Sequence, residues 1–445
     1  MKKIISIALC AALLISMAAV SYSADSPTPP PTLSQAAQGT AKKPAKKGEA
    51  LYPVTLPAVP AVDDEAYYKY VQEHQTPEAF IRSMQKFGAK TAPMVLTEEK
   101  NQAYSPISYA YALGMLGSGT KGNTSKEIAS ALEAADMKSA VEGFTKFYEA
   151  NYRTEEGNTL TLANSLWLSE KYPLKASFAK GAAKDFYASA YSVDFSKQST
   201  ADKMEKWISD NTGGLLNPTF SPDPMQVLSI INTLYFEGAW SDAFRAENNT
   251  KEKFTLSDGT EIDTVYMNQV FENASYYVTE DYTMFILPFT GGQEMRFALP
   301  NNEAALDSLL KQDILEQITA EPQETARKDA EVTLKLPKFS FDTAMNLTGT
   351  CEKLGLEELL DGTGDFSGIT DLGVYVSDIM QESHVEIDEN GCKAAAYTKM
   401  DIRAMAMLPQ DTEKYTFSLD RPFLFTIQSQ DDAPLFIGTV YNPTK

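Results

Sequence analysis

The stretch Asn232-Thr233-Leu234-Tyr235-Phe236-Glu237-Gly238-Ala239-Trp240 follows directly on the apolar run Val227-Leu228-Ser229-Ile230-Ile231. The apolar run is rich in β-branched residues, a composition that predicts a β-strand. Similar runs recur further along the chain, at residues 283–287, 332–336 and 423–427. The last quarter of the sequence is therefore expected to be rich in strands.

Helix signals are interspersed with these strand-like runs. Ser105-Pro106 predicts a helix start, with serine as the cap and proline in the first turn, and Gly117 predicts its end. Thr124-Ser125-Lys126-Glu127 has the spacing of a capping box, which predicts a second helix. Helices interspersed with strands indicate an α+β protein with large, mainly antiparallel sheets.

Composition excludes several classes of function. The chain has 445 residues, of which 43% are hydrophobic, and it carries a formal net charge of −21. Such an acidic surface argues against nucleic-acid binding and against a polyanion cofactor. Only two histidines are present, His74 and His384, and the sequence lacks HExxH, CxxC, P-loop and GxSxG motifs. We therefore expect neither an enzyme nor a metal or cofactor site.

The N-terminus resembles an export signal. Lys2 and Lys3 precede the apolar run 4–20, and Ser21-Tyr22-Ser23 offers a small-x-small cleavage site. We interpret residues 1–23 as a signal peptide and expect a secreted protein, extracellular or periplasmic, although a retained membrane anchor remains an alternative. Removal of this segment leaves two cysteines, Cys351 and Cys392, whose pairing the sequence leaves open.

Residues 24–64 are rich in proline, alanine and lysine, and we interpret them as a flexible spacer. One folded domain is expected over residues 65–445, because no second linker interrupts that region and no internal repeat is visible. Nothing in the sequence requires an oligomer, and a monomer is expected.

The sequence resembles the serpin family over about residues 78 to 443. The resemblance is carried by separate blocks in the family's order: residues 101–108 (NQAYSPIS), 119–124 (GTKGNT), 232–240 (NTLYFEGAW), 336–339 (LPKF), 365–370 (DFSGIT), 420–425 (DRPFLF) and 435–443 (LFIGTVYNP). With the export signal, it suggests a bacterial secreted type. The resemblance implies three β-sheets, eight or nine helices and an exposed reactive-centre loop. It also implies a suicide mechanism, in which a serine protease cleaves the loop and is trapped covalently while the loop inserts into the main sheet.

The hinge of that loop has the residues that insertion requires. It comprises Glu389, Asn390, Gly391, Cys392, Lys393, Ala394, Ala395, Ala396, Tyr397 and Thr398. Gly391 supplies flexibility, and the alanines are small enough to enter a narrow slot. From Cys392 to Ala404, alternate residues beginning with Cys392 are all uncharged, whereas every charged residue lies on the other phase. A surface helix remains the alternative, because alanine also favours helices.

The resemblance implies further site residues and also shows departures from the family pattern. Cys392 replaces the usual Thr or Ser, Lys393 replaces a usual Glu, and Tyr397 replaces a small residue. A polar cluster beneath the opening sheet is expected from Asn101, Ser105, Ser108, Asn232 and Gln381, with Gln381 in place of a histidine and bonded to Asn232. The top of the sheet is expected to carry Trp240 and an ion pair between Lys338 and Glu389.

Family spacing from Gly391 places the scissile bond between Met405 and Ala406. Methionine suits the apolar pockets of elastase-, chymotrypsin- or subtilisin-like proteases, while Arg403 keeps a trypsin-like target open. A non-inhibitory serpin is the first rival hypothesis, and a secreted hydrolase is the second. Cys392 is expected to expose a reachable thiol until the loop inserts.

Overall fold

The computed structural model describes residues 50–52, 54–60, 65–172, 174–301, 304–374, 376, 379–392 and 413–445. These residues form ten α-helices: α1 Glu65–Glu73, α2 Glu78–Val95, α3 Pro106–Gly117, α4 Gly122–Ala131, α5 Met137–Asn151, α6 Ala176–Asp185, α7 Gln198–Asn211, α8 Gln312–Thr319, α9 Thr348–Lys353 and α10 Glu357–Leu360. Short 3-10 turns lie at Ala246–Asn248, Leu306–Leu309 and Glu324–Ala326.

Sixteen strands accompany the helices in the described residues. They are β1 Gln102–Tyr104, β2 Arg153–Glu155, β3 Asn158–Ser169, β4 Ala188–Val193, β5 Leu228–Ala239, β6 Thr250–Thr255, β7 Glu261–Val278, β8 Tyr282–Pro288, β9 Glu294–Pro300, β10 Arg327–Pro337, β11 Phe339–Asn346, β12 Met380–Ile387, β13 Gly391–Cys392, β14 Lys414–Ser418, β15 Phe423–Gln428 and β16 Pro434–Val440. The four strand-like runs of the sequence lie almost entirely within β5, β8, β10 and β15.

The strands form a seven-stranded and a nine-stranded sheet. The smaller has the order β11-β12-β13-β5-β3-β2, with β4 parallel to β3. The larger has the order β1-β16-β15-β9-β8-β7-β10-β14, with β6 paired to β7. The resemblance implied three sheets, whereas the described strands form two. The difference arises because β7, which is 18 residues long, pairs with both β10 and β8 and so joins two of the expected sheets into one. The expected α+β class is confirmed.

Helix α3 supports the seven-stranded sheet from below. It begins as its sequence predicts, with Ser105 Oγ accepting a hydrogen bond of 3.3 Å from the Ser108 N–H. Almost every residue of the helix is buried, and it contacts β5. Close packing is possible because Gly114 has no side chain: a Cβ there would lie 2.3 Å from the ring of Phe144. The centre of the sheet therefore rests on a rigid, apolar helix.

Two sequence predictions about boundaries were wrong. Thr124 does not cap a helix, because α4 already begins at Gly122 and the Thr124 hydroxyl instead donates to the carboxylate of Glu358. The expected spacer also ends earlier than residue 64. The Leu51 N–H donates to the Ala190 carbonyl at 2.7 Å, and Tyr52 packs against the core, since this part of the chain carries apolar residues that gain from burial.

Candidate functional site

The hinge enters the seven-stranded sheet at its upper end. β13 pairs Cys392 with Ile387 of β12 on one side and with Gly238 of β5 on the other, and both pairings are antiparallel. β13 is only two residues long, whereas β12 has eight residues and β5 has twelve. The two long strands are thus joined at their upper ends by β13 (Gly391–Cys392), which we call the wedge.

Gly391 is required by its close contact with β5. A Cβ at this position would lie 2.0 Å from the Gly238 carbonyl oxygen, which no side chain tolerates. The turn before it is held by Asp388, whose Oδ1 accepts from the Asn390 N–H at 2.7 Å and from the Gly391 N–H at 3.3 Å. This turn aims the chain into the gap between the two strands.

Cys392 is already enclosed by its neighbours. Its residue surface is 5% exposed, and both it and Cys351 are free thiols, so the two cysteines do not pair. Burial, and after it the charges of Glu386, Asp388 and Glu237, raises the pKa of Cys392 to about 12. The expectation of a reachable thiol was therefore wrong, because the strand pairing of β13 buries Cys392 before the rest of the loop enters.

Trp240 supports the turn from the side of β5. Its indole N–H donates to the Asp388 carbonyl at 3.0 Å, and its backbone N–H donates to the Asn390 carbonyl at 2.9 Å. The indole ring stacks on Phe289 with centroids 4.5 Å apart. A large buried aromatic side chain thereby holds the turn at Asp388 and Asn390, where the hinge begins.

Lys338 and Glu389 form an ion pair in front of this turn. Lys338 Nζ lies 2.8 Å from the Glu389 carboxylate, which also accepts from Asn249 Nδ2 at 2.5 Å. Burial raises the pKa of Glu389, but the hydrogen bonds from Lys338 and Asn249 and the lysine charge outweigh burial and hold the pKa below its usual value. The carboxylate is therefore kept ionised where the loop leaves β12.

Below the wedge, a cavity of about 430 Å³ lies between β5 and β12. Its lower wall includes Ala112, Leu113 and Leu116 of α3, and its upper wall includes Met204 and Ile208 of α7. Residues 228–233 of β5 line one side, and Met380 and Glu382 of β12 line the other. The two strands are thus separated by open space, which passes through the sheet from α3 to α7. We call this space the slot.

Two side-chain oxygens at the slot lack hydrogen-bond partners within the described part of the chain. They are Asn232 Oδ1 and Thr233 Oγ1, and Thr233 is 5% exposed. A buried hydroxyl without a partner costs about 1–3 kcal/mol.

The expected polar cluster is not assembled as predicted. Gln381 bonds to the Ser105 backbone, accepting from its N–H at 2.8 Å and donating to its carbonyl at 2.9 Å. Asn232 Nδ2 donates to Asn164 Oδ1 at 2.6 Å and not to Gln381, because the slot separates the strands that carry them. Asn101 instead accepts from the Tyr441 and Asn442 N–H groups near the C-terminus. Only Ser105, Ser108 and Gln381 lie together.

A family model described as Serpin (serine protease inhibitor) matches residues 82–443. The chain belongs to the serpin family. Human neuroserpin is 29% identical to this serpin over 367 residues, which cover 78% of this chain and 87% of neuroserpin. Alpha-1-antiproteinase S of Cavia porcellus is 30% identical, covering 82% of this chain and 90% of its own. These relatives are animal proteins and give no support to the expected bacterial secreted type.

Solved serpin structures share the fold of this serpin. The native state of tengpin, a thermophilic serpin, superposes with a TM-score of 0.72 at 24% identity, covering 88% of this chain and 97% of tengpin. Thyroxine-binding globulin in complex with thyroxine superposes with a TM-score of 0.70 at 22% identity, covering 82% and 99%. At these identities the likeness shows the fold alone.

Several expected site residues of this serpin lie outside the described residues. They are Lys393, Ala394, Ala395, Ala396, Tyr397, Thr398, Arg403, Met405 and Ala406, together with the signal segment. Within the described ranges, no helix is long and apolar enough to cross a membrane. Among the same residues, no group of three or more His, Cys, Asp or Glu side chains could hold a metal ion.

Sequence reasoning missed the residues that surround the hinge. Asn164, Asn249 and Phe289 each contact an expected site residue, but they come from strands or loops far away in sequence. Glu237, whose charge contributes to the raised pKa of Cys392, could have been found from the sequence, because it lies within the block 232–240 and next to Gly238. Its charge in an otherwise uncharged strand was the available signal.

Proposed function

We propose that this chain is a suicide inhibitor of serine proteases, which acts by inserting its cleaved loop into the seven-stranded sheet. The observation that supports this most directly is the two-residue strand β13 at the head of the slot. A chain that already pairs with both neighbouring strands needs only to continue along them. The turn held by Asp388 and Trp240 sets the direction of entry.

In the proposed reaction, the serine hydroxyl of the protease attacks the carbonyl carbon of Met405. The Met405–Ala406 peptide bond breaks, its nitrogen takes up a proton to become the new amino terminus at Ala406, and Met405 is held as an ester on the serine. Residues 393–404 then enter the slot and carry the protease with them. Insertion must be faster than hydrolysis of the ester for the complex to persist.

The proposed target class follows from Met405, whose unbranched apolar side chain suits elastase-, chymotrypsin- or subtilisin-like pockets.

Export is also part of the proposal, because residues 1–23 have the pattern of a signal peptide. A spacer and the serpin domain follow this segment in the sequence. We also propose that the protein acts as a monomer, without a polyanion. Protease nexin-1 has been solved with heparin, but the net charge of −21 here disfavours such a ligand.

The test is incubation with a panel of elastase, chymotrypsin, subtilisin and trypsin, followed by denaturing gels. The expected result is a band that combines inhibitor and protease masses, together with a released peptide that begins at Ala406 by mass spectrometry. A peptide beginning at Ala404 would assign the bond to Arg403 and a trypsin-like target. Cleavage without any complex would overturn the inhibitory proposal and favour a non-inhibitory serpin.

A further inference from the structure

The register around β13 fixes where each following residue would lie in the slot. Cys392 is opposite Ile387 on β12 and opposite Gly238 on β5. Because both pairings are antiparallel, each step forward along the loop moves one residue back along both neighbours. On insertion, the next residue, Lys393, would therefore come opposite Glu386 on one side and Glu237 on the other.

After insertion, the side chain of Lys393 would lie on the same face of the sheet as those of Glu237 and Glu386. Glu386 is paired with exposed Ser340 and lies between buried Val385 and Ile387, so it points to the outer face. Side chains alternate along a strand, so Lys393 also points outward when Cys392 points inward. Strands on either side of an inserted strand are about 10 Å apart. A lysine ammonium between them is within reach of both carboxylates.

Neither carboxylate has a Lys or Arg partner among the described residues. Glu237 accepts a hydrogen bond of 2.9 Å from the Tyr235 hydroxyl. Glu386 has a long contact with the histidine His384, whose Nε2 lies 3.9 Å from a carboxylate oxygen. Both carboxylates also raise the pKa of Cys392, as expected for charges placed at the head of the slot.

The same register would bring the loop beside one unsatisfied hydroxyl of the slot. Residue 397 would come opposite Thr233, whose buried Oγ1 lacks a partner in the described chain. The segment that follows Cys392 is also long enough, since 20 residues separate β13 from the next described residue, Glu413. The slot thus matches one named occupant, residues 393–404 of this chain, in position, length and charge.

We propose that Glu237 and Glu386 form a two-carboxylate acceptor for the ammonium group of Lys393, which guides and fastens the first step of insertion. This inference rests on the proposed function and deepens it, since it names what makes the slot selective for this loop. Lys393 stands where the family usually has Glu, so the acceptor has the charge that this chain's own loop requires. A negative residue at position 393 would face two carboxylates and enter slowly.

The test is charge reversal, with two readouts. Lys393→Glu should raise the number of inhibitor molecules consumed per protease molecule about five- to tenfold, because slower insertion lets more ester hydrolyse. Glu237→Lys with Glu386→Lys should do the same against the native Lys393. The triple variant that combines all three changes should recover most of the loss. Lys399→Glu is the matched control, since its register neighbours are Ile231 and Met380, and it should change the ratio less than twofold.

The second readout is the rise in melting temperature when the loop is cleaved, which needs no covalent complex. If the wild-type protein gains stability on cleavage but Lys393→Glu inserts equally well, this inference is wrong and the proposed function stands. If Lys393→Glu and Lys399→Glu are equally impaired, the carboxylate pair has no specific role. A wild-type protein that shows neither a complex nor a gain in stability would overturn the proposed function and this inference with it.

Discussion

Cys392 shows how completely two strands enclose one side chain at the head of the slot. Burial holds its pKa near 12, so the thiolate fraction at pH 8 is about a thousandth of that of an ordinary thiol. We predict that the intact native protein reacts with a thiol reagent at neither Cys392 nor Cys351. Mass spectrometry of tryptic peptides assigns any label to its residue.

Denaturation provides the control for this prediction, because both thiols should then react fully. Loop cleavage should leave Cys392 unlabelled, since its pairing with β5 and β12 is already made. Rapid labelling of Cys392 in the native protein would mean that β13 opens readily in solution.

The Lys338–Glu389 pair predicts a pH-dependent contribution to stability. The pKa of Glu389 is lowered in the folded protein, so the contribution is present above the ordinary value of 4.5 and is lost as the pH falls through the folded pKa. Because Lys338 is partly exposed, Lys338→Ala should lower the free energy of unfolding at pH 7 by only about 0.5 kcal/mol.

Urea unfolding of the wild type, Lys338→Ala, Glu389→Gln and the double variant isolates this pair. The coupling energy should be measurable at pH 7 and should shrink towards zero in acid. A coupling that stays constant across this range would show that the two residues do not interact through the charge of Glu389.

At the scale of the elements, strands and caps with a local cause were predictable. β5, β10 and β15 contain apolar runs that the sequence identifies as strands, and Ser105 caps α3 through a bond three residues away. Thr124 misled because its capping pattern is local, whereas its actual partner Glu358 is remote in sequence. A side chain that lies within hydrogen-bonding distance of a remote element can bond to that element instead of capping its own helix.

In the candidate site, one contact that the resemblance implied is present and another is absent. The Lys338–Glu389 contact agrees with what the resemblance implied, because both residues lie at the ends of neighbouring strands. The Asn232–Gln381 bond did not form, because the width of the slot depends on how far β5 and β12 are separated by the wedge. No local pattern in the sequence encodes that distance.

The hinge phases predict opposite effects of neighbouring substitutions. Continued past Cys392, the register would place an inserted Ala394 opposite Phe236 and Val385, which are 6% and 1% exposed, so its side chain would point into the core. Ala394→Arg should therefore convert the inhibitor into a substrate, since an unpaired charge would have to be buried. Stoichiometry of inhibition and denaturing gels measure the loss of complex.

Ala395→Arg is the matched control, because its register neighbours Tyr235 and His384 lie on the outer face. It should retain most of the inhibition, and Ala396→Glu should behave like Ala394→Arg. Equal effects of Ala394→Arg and Ala395→Arg would show that the alternation does not govern insertion.

For the whole molecule, the proposed function requires that the native fold is not the most stable arrangement of this chain. The cavity of about 430 Å³ and the unpartnered oxygens of Asn232 and Thr233 are costs that the structure carries while the slot is open. Occupation of the slot by residues 393–404 would remove both costs and extend the two-residue strand β13 to a full strand. The stored difference is what would drive displacement of a bound protease.

The last prediction measures that difference. Twelve further residues, each adding about 1 kcal/mol of ladder hydrogen bonding, would stabilise the protein by about 10 kcal/mol. For a domain of this size, that corresponds to a rise in melting temperature of about 10 °C or more. Cleavage between Thr398 and Leu408, followed by calorimetry of intact and cleaved protein, should reveal this rise. Cleavage within residues 24–49, which belong to the expected spacer, is the control. It should leave the melting temperature unchanged. A loop-cleaved protein that melts at or below the intact temperature would show that the slot does not accept the loop.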